Sequence, residues 1–255
     1  MDTFSVGVGM DGRYSTHSLL FDGTDDVVTT AADATADTKS YSFWAKSSEA
    51  GPNGVFDHGS WQQGTLEFND NAGRPQLYLG SGTLRYWTDN SAQDDNAWHH
   101  WVCYIEHDDI TNCKLYCDGV LLGVNYTAES TYYAYSTGLR IGRGSLTYFN
   151  GSLDEFAVFD GELSGAQVLA IYNSGTPADL SVYSPEHWWR MGEDNSITGT
   201  TISDIASGGK DGTLVSAPVF ASTGPVVDTT GSIALTADSG GPVVLDTFSA
   251  AVTAV

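Results

Sequence analysis

Two acids, Asp154 and Glu155, stand side by side in FNGSLDEFAVFDGEL (149–163), at the start of a hydrophobic run that reads as a buried β-strand. Strand alternation puts Leu153, Glu155, Ala157 and Phe159 on one face and Asp154, Phe156 and Val158 on the other, so both faces look covered. A carboxylate in such a place costs desolvation free energy unless donors, a cation or water satisfy it. The pair is therefore either a structural link or a ligand site, and Glu155 is expected as a salt-bridge or capping group. His99 and His100 suggest metal binding, yet consecutive strand residues point to opposite faces, so one should pack and the other be exposed. Cys103, Cys113 and Cys117 form neither a paired framework nor a zinc spacing with the histidines nearby, and read as reduced, buried thiols. The chain contains no Gly-x-Ser-x-Gly, no phosphate-cradling glycine loop and no His-Glu-x-x-His, and Gly142-Arg143-Gly144 is no more than a turn.

Aromatic side chains offer a second chemistry, because a flat ring stacks on the apolar face of a sugar while neighbouring acids and amides take its hydroxyls. Trp61, Tyr86, Trp87, Tyr132, Tyr133, Tyr135 and Tyr148 are candidates, with core or rim packing as the alternative at each. The loop-like segment TYYAY (131–135) stands out, and we take Tyr132, Tyr133, Tyr135, Trp61 and Trp87 as the glycan-binding set.

The elements that must position these groups are short strands in close succession, among them SLLF, SYSFWAK, GTLEF, PQLYL, GTLRYW, AWHHWVCYIE, CKLYC and LDEFAVF. Turn chemistry lies between them: Asp118-Gly119 suits a type I′ hairpin, so antiparallel neighbours are expected. SGAQVLAIYNSG breaks the pattern. Ser164 with Gln167 three residues on forms a capping box, Val168, Leu169, Ile171 and Tyr172 make one stripe, and Gly175 terminates a short helix. EHWWRMGED and KDGTLVSAPVF then return to strand character. The expected division is an N-terminal arm (1–17), a β domain (18–223) and a Val/Thr/Ala/Gly-rich tail (224–255), in which no Lys or Arg follows Lys210 and GPVVDTTGS is echoed by GPVVLDTFS. The tail reads as a flexible or edge-strand segment, or as one that adds strands to a neighbouring subunit.

The length of 255 residues and 41% hydrophobic content suffice for one large β domain with extensions. Ten Lys plus Arg stand against 32 Asp plus Glu, a formal charge of -22 that repels phosphate backbones and anionic headgroups and excludes nucleic acid as a partner. No apolar run is long enough to span a membrane as a helix, and the polar start lacks signal-peptide character, so membrane insertion and Sec export are not expected.

SLLFDGTDDVVTT (18–30), AWHHWVCYIEHDDITNCKLYCDGVLLG (97–123) and YFNGSLDEFAVFDGELSGAQVLAIYNSG (148–175) follow one another in an order that resembles the laminin G-like family within the concanavalin A-like lectin and glucanase fold. The first is similar to the family's opening strand and FDG turn, the second to its Trp-His-His strand and Tyr-x-Asp-Gly hairpin, the third to its closing strand and short helix, with Leu153 in the usual Ile position. The resemblance implies an all-β, two-sheet antiparallel jelly-roll sandwich with one short helix and terminal extensions, in agreement with the strand pattern. It also implies a Ca²⁺ site at which Asp22 and Asp154, with Asp26, carbonyls and water, would hold the ion. The alternative is a metal-free staple in which Asp154 accepts N–H bonds from the 22–26 turn. Glucanases similar to the retaining class carry Glu-x-Asp-x-x-Glu on one strand face. Here Glu106 and Asp108 keep the first spacing, but position 111 is Thr and HDDITN reads as a turn, so an enzyme is not expected.

Two functions follow as expectations. One is a noncatalytic virion structural protein, a capsid decoration or fibre component assembled in a host cytoplasm. It would contact other virion proteins or copies of itself through its arms and adhere weakly to cell-surface glycans. The missing export signal, unpaired thiols and acidic, Lys-poor composition support it. The other is a calcium-assisted carbohydrate-binding module of an extracellular or cell-surface protein.

Overall fold

The computed structural model describes residues 15–32, 38–59, 62–68, 74–88, 91–144, 146–193, 197–216, 218–221 and 224–225. The chain divides into a unit of Gly12–Asp228 and a second of Met1–Asp11 with Thr229–Val255, and all described residues belong to the first. Trp61 and the echoed tail motifs, apart from Gly224 and Pro225, lie outside the described residues.

Alternating apolar and polar residues between turn-forming Gly, Asn and Asp produce a succession of short strands. In chain order they are β1 (Ser18–Asp22), β2 (Val27–Thr29), β3 (Lys39–Lys46), β4 (Asn53–Asp57), β5 (Thr65–Phe68), β6 (Gln76–Gly80), β7 (Thr83–Trp87), β8 (His99–Ile105) and β9 (Lys114–Cys117). There follow β10 (Val120–Leu121), β11 (Val124–Ala128), β12 (Arg140–Ile141), β13 (Asn150–Asp160), β14 (His187–Trp189), β15 (Ile197–Thr198), β16 (Thr201–Ile202), β17 (Gly212–Val215) and β18 (Val219–Ala221). The eight-stranded sheet runs β10-β9-β8-β3-β13-β1-β18, with β14 also paired to β13, and the ten-stranded sheet runs β11-β7-β6-β5-β4-β12-β2-β17-β16-β15. The result is the two-sheet antiparallel sandwich that the strand pattern predicts.

Leu19, Phe21, Phe43, Phe56, Phe68, Trp87, Trp101, Phe156 and Trp189 meet between the sheets in one buried cluster. A second cluster, built on Val102, Tyr116, Phe159, Val168, Ile171 and Trp188, covers the outer side of the smaller sheet. Its lid is α1 (Gly165–Tyr172), whose start is fixed as its sequence requires: Ser164 accepts from Gln167 N, and the Gln167 side chain returns to the cap backbone. Asp118 and Gly119 both take positive φ (49° and 79°), and the hairpin they close pairs Val120 with Cys117.

Strand β13 carries the acid pair. One of its edges is shared: β1 pairs with its first half, to Leu153, and β14 with Phe156–Val158. On the other edge the register against β3 shifts between Asp154 and Ala157, and Glu155 adopts φ 48°. The acids therefore sit in a β-bulge, at the gap between the ends of β1 and β14.

Candidate functional site

The bulge answers the question posed by Asp154 and Glu155 with protein donors. Glu155 is a salt-bridge partner, accepting from Arg190 Nε at 3.0 Å and from Trp188 Nε1 at 2.6 Å. Burial pushes its carboxyl up to about 7, against the opposing pull of Arg190 and Trp188. Asp154 accepts from Glu155 N at 2.7 Å and contacts Ser15 Oγ, which also lies 3.0 Å from Glu193 Oε1. A hydroxyl owns one proton, so both contacts are full hydrogen bonds when one of the two acids keeps its proton and donates to Ser15 Oγ. Burial, reinforced by the charge of Glu155, raises Asp154 well above the carboxylate range, in keeping with that chain. Glu193 is the anionic end: its desolvation is outweighed by hydrogen bonds from His17, Ser15 and Thr16, which hold it below its ordinary value. The cluster thus ties Ser15–His17, at the end of the expected arm, into the domain.

The register corrects both expectations for Asp154 at the rim. Leu19 faces Leu153 and Asp22 faces Asn150, so Asp154 stands level with Ser18, four residues from Asp22. At about 3.3 Å per residue that is roughly 13 Å, too far for a shared ion or for a staple to the 22–26 turn. What the turn brings together is Asp22, Asp25 and Asp26, with carboxylate oxygens within 4.8 Å of one another. Part of that set is engaged locally: Asp22 N donates to Asp26 Oδ2 and Thr24 N to Asp22 Oδ1. Glu106 and Asp108 fall on the β8–β9 turn, which Asp109 pins through Thr111 and Asn112.

The aromatic candidates divide in the same way. Trp87 has no exposed surface and belongs to the core, and Tyr135 is buried, its ring parallel to that of His58 at 4.1 Å. Tyr132 is half-buried, its hydroxyl accepting from Ile110 N and donating to Glu129 Oε1. Tyr133, also half-buried, donates its N–H to Leu79 O and accepts His107 Nε2 at its carbonyl. The TYYAY segment therefore packs along the sandwich instead of presenting a row of rings.

A different set meets on the outer side of the larger sheet. Alternation sends Leu66, Phe68, Leu77 and Trp87 to the core, and Glu67, Gln76, Tyr78 and Tyr86 outward. Register then aligns Gly54, Glu67, Gln76, Tyr86 and Tyr126 in one row across β4, β5, β6, β7 and β11. Within it Gln76 Nε2 donates to Glu67 Oε2 at 2.8 Å, Tyr78 OH to Gln76 Oε1 at 2.9 Å, and Thr147 Oγ1 to Glu67 Oε1 at 2.9 Å. The rings of Tyr86 and Tyr126 lie 6.1 Å apart, and the Arg74 guanidinium sits 4.3 Å from the Tyr86 centroid. Glu67 and Gln76 are buried, whereas Tyr126 is 52% exposed, so the row runs from a polar floor to an open aromatic end. A side chain at Gly54 would meet Gly144 N at 1.9 Å, which closes the loop over the β4 end. Beyond that loop Arg140 grips Asp57 with two hydrogen bonds, at 2.5 and 2.7 Å, and Arg143 lies over Tyr148. Burial raises Asp57 to about 6 against the pull of Arg140. Of the row, the sequence reading singled out Tyr86 alone; alternation within LEF, QLY and LRYW is the signal for the rest.

The concanavalin A-like lectin/glucanases superfamily profile matches residues 21–169. A search of curated proteins found no match. Among solved structures, a candidate carbohydrate-binding protein of Bacteroides ovatus is similar at TM-score 0.62 and 15% identity, over 84% of this chain and 62% of that one. A heptameric pentraxin of Limulus polyphemus is similar at TM-score 0.44 and 16% identity, over 79% of this chain and 96% of that one. The sialidase of Trypanosoma rangeli reaches TM-score 0.40 at 12% identity, over 54% of this chain and 22% of that one. These likenesses concern the fold.

Proposed function

Because the chain belongs to the concanavalin A-like lectin/glucanases superfamily, we propose that it is a noncatalytic carbohydrate-binding module whose ligand lies across Tyr86 and Tyr126 on the outer side of the larger sheet. The observation that carries this reading is the cross-strand row itself: an aromatic pair, half-buried Tyr86 and exposed Tyr126, continuous with an amide and a carboxylate. Rings supply the apolar stacking and their phenol hydroxyls the hydrogen bonding that sugar faces require, above a buried floor in which Glu67, Gln76, Tyr78 and Thr147 are hydrogen-bonded to one another. Among the described residues, the outer side of the smaller sheet is covered by the helix and its cluster. With a formal charge of -22, the module should favour neutral, hydroxyl-rich glycans over sialylated or sulfated ones. The fold shared with a candidate carbohydrate-binding protein agrees with this assignment.

Binding by one copy is expected near the millimolar level, about 4 kcal/mol, so the full chain should be tested on a multivalent glycan array and its hits measured by titration. Tyr126→Ala and Tyr86→Ala should each weaken a neutral-glycan hit about tenfold, or ~1.4 kcal/mol. Binding that survives both substitutions would remove the site from this face.

Weak single-copy binding becomes useful in a multicopy setting, and display on a virion surface is the setting we propose, with an extracellular one as the alternative. Support comes from the tail, which carries no Lys or Arg after Lys210 and is rich in Val, Thr, Ala and Gly. Deleting residues 226–255 should leave the melting temperature of the β domain nearly unchanged while removing the protein from its particle. Loss of folding on deletion would assign the tail to the sandwich and end the anchoring role.

A further inference from the structure

On the rim formed by the start of β8 and the β9–β10 turn, His99, Cys117 and Asp118 bring one imidazole nitrogen, one sulfur and one carboxylate oxygen within 4.8 Å of one another. Sequence spacing conceals this cluster. The antiparallel register sets Trp101 opposite Cys117, so His99, two residues before Trp101, shares a face with Cys117 as its diagonal neighbour. The Asp118-Gly119 turn then bends the third group back. Asp118 N donates to His100 O at 2.8 Å and Asp118 Oδ1 accepts from His100 N at 2.9 Å. That leaves Oδ2 facing His99 Nδ1 at 2.6 Å.

A fourth residue stands behind the ring. Asp95 Oδ1 accepts from Ala97 N at 2.8 Å, which fixes the carboxylate in its own turn, and Oδ2 lies 3.1 Å from His99 Nε2. A metal-ligating histidine commonly gives its other N–H to a carboxylate, which sets the tautomer and strengthens the donating nitrogen. Here that partner is already in place on Nε2 and leaves Nδ1 to the cluster.

We propose that His99 Nδ1, Cys117 Sγ and Asp118 Oδ2 form a binding site for a divalent transition-metal ion, Zn²⁺ by the softness of the set, with Asp95 as the positioning residue behind His99. A thiolate and an imidazole disfavour Ca²⁺, which takes oxygen ligands, so this site is chemically distinct from the all-carboxylate 22–26 turn. Three protein ligands leave a fourth tetrahedral position for water. Zinc bond lengths of about 2.0–2.3 Å separate tetrahedral ligand atoms by about 3.3–3.6 Å, so the 2.6 Å contact between His99 and Asp118 must widen as the ion enters. The balance is simple: the proton shared by that pair and the thiol proton of Cys117 leave to solvent, and the ion takes their place. Solvent reaches the site from the side of His99 and Asp118, whose side chains are 17% and 29% exposed, while Cys117 is buried behind them.

The test uses the full chain, reduced and freed of metal, titrated with Zn²⁺ by calorimetry and with Co²⁺ by absorption. Expected are one saturable site per chain and, with Co²⁺, a near-ultraviolet thiolate-to-metal charge-transfer band with visible ligand-field bands of tetrahedral intensity. Cys117→Ser should abolish the charge-transfer band. Asp95→Asn, which replaces no ligand, should weaken Zn²⁺ binding about tenfold to a hundredfold. Asp118→Asn keeps the turn acceptor for His100 N and should still lose the ion, so that loss cannot be ascribed to a broken turn. A wild-type chain that gives no saturable Zn²⁺ binding, or a charge-transfer band that persists in Cys117→Ser, would overturn the site.

Discussion

Replacing Asp57 by asparagine sets two opposing effects against each other. The carboxylate has no exposed surface, which favours its neutral form, and it is held bidentately by the Nε/Nη2 edge of the Arg140 guanidinium, which favours its charged form. Burial wins in our reading, raising the group from 3.8 to about 6. A rise of that size corresponds to ~3 kcal/mol, at about 1.36 kcal/mol for each pH unit. The sign follows from linkage: between pH 4 and 6 the folded protein keeps a proton that the unfolded chain has released, so this group's contribution falls as the pH rises through that window. The amide of the Asp57→Asn variant has nothing to titrate. The variant should therefore gain on the wild type by ~3 kcal/mol between pH 4 and 7, measured as the difference between urea-unfolding free energies at matched pH. Titrations common to both proteins cancel in that difference, and the fixed cost of placing an amide against Arg140 shifts the curve without tilting it. A flat difference, or one in which the wild type gains with rising pH, would show that the ion pair outweighs burial and refute the reasoning.

Two further outcomes test the acid clusters. Ser15→Ala should cost about 1–3 kcal/mol, because it leaves Asp154 and Glu193 each short of a buried partner, and a melting curve within one degree of wild type would deny the proton chain. Should the 22–26 turn hold Ca²⁺, a hundredfold excess over Kd should stabilise the protein by about 2.7 kcal/mol relative to chelator. Asp22→Asn should abolish that gain while Asp154→Asn leaves it intact, and the reverse pattern would contradict the register of β1 against β13.

The parts of the molecule written in local chemistry were legible in the sequence. The capping box at Ser164, the Asp118-Gly119 hairpin and the succession of strands depend on neighbours in the chain, and the structure has them where the residues put them. The site was not legible, for two physical reasons. Strand alternation assigns Asp154 and Glu155 to opposite faces of a regular strand, but the bulge at Glu155 re-aims both, and no local residue pattern announced it. Their partners are also remote in the chain: Ser15 lies 139 residues from Asp154, and Arg190 lies 35 from Glu155. Aromatic candidates failed on depth, not on type: Trp87 and Tyr135 are large enough to be worth burying, and the sandwich buries them, whereas Tyr126, on the last strand of the larger sheet among the described residues, is 52% exposed. The histidine pair misled in the same way, since His100 does pack but His99 finds Cys117 through a hairpin register that spacing alone does not encode.

Placement of the helix decides where a ligand can lie. Val168 and Ile171 pin α1 onto Val102, Tyr116 and Trp188, and the same contacts seal the outer side of the smaller sheet. Leu169, on the predicted stripe, remains 58% exposed beside the Asp118-Gly119 hairpin, whereas Tyr172 stacks on Trp44 and His100, so the helix is seated by Val168, Ile171 and Tyr172 and not by the whole stripe. With one sheet covered, the outer side of the other is the candidate surface, and β5, β6 and β7 send Glu67, Gln76, Tyr78 and Tyr86 toward it. Those same strands carry Leu66, Phe68, Leu77 and Trp87 into the core, so period-two alternation fixes the outward row with the rigidity of the packed interior. A one-residue slip in any of the three strands would exchange row and core together. Selection for a stable sandwich therefore also holds Tyr86 in register with Tyr126, and a glycan bound there would meet a preformed surface whose ordering cost has been met in folding.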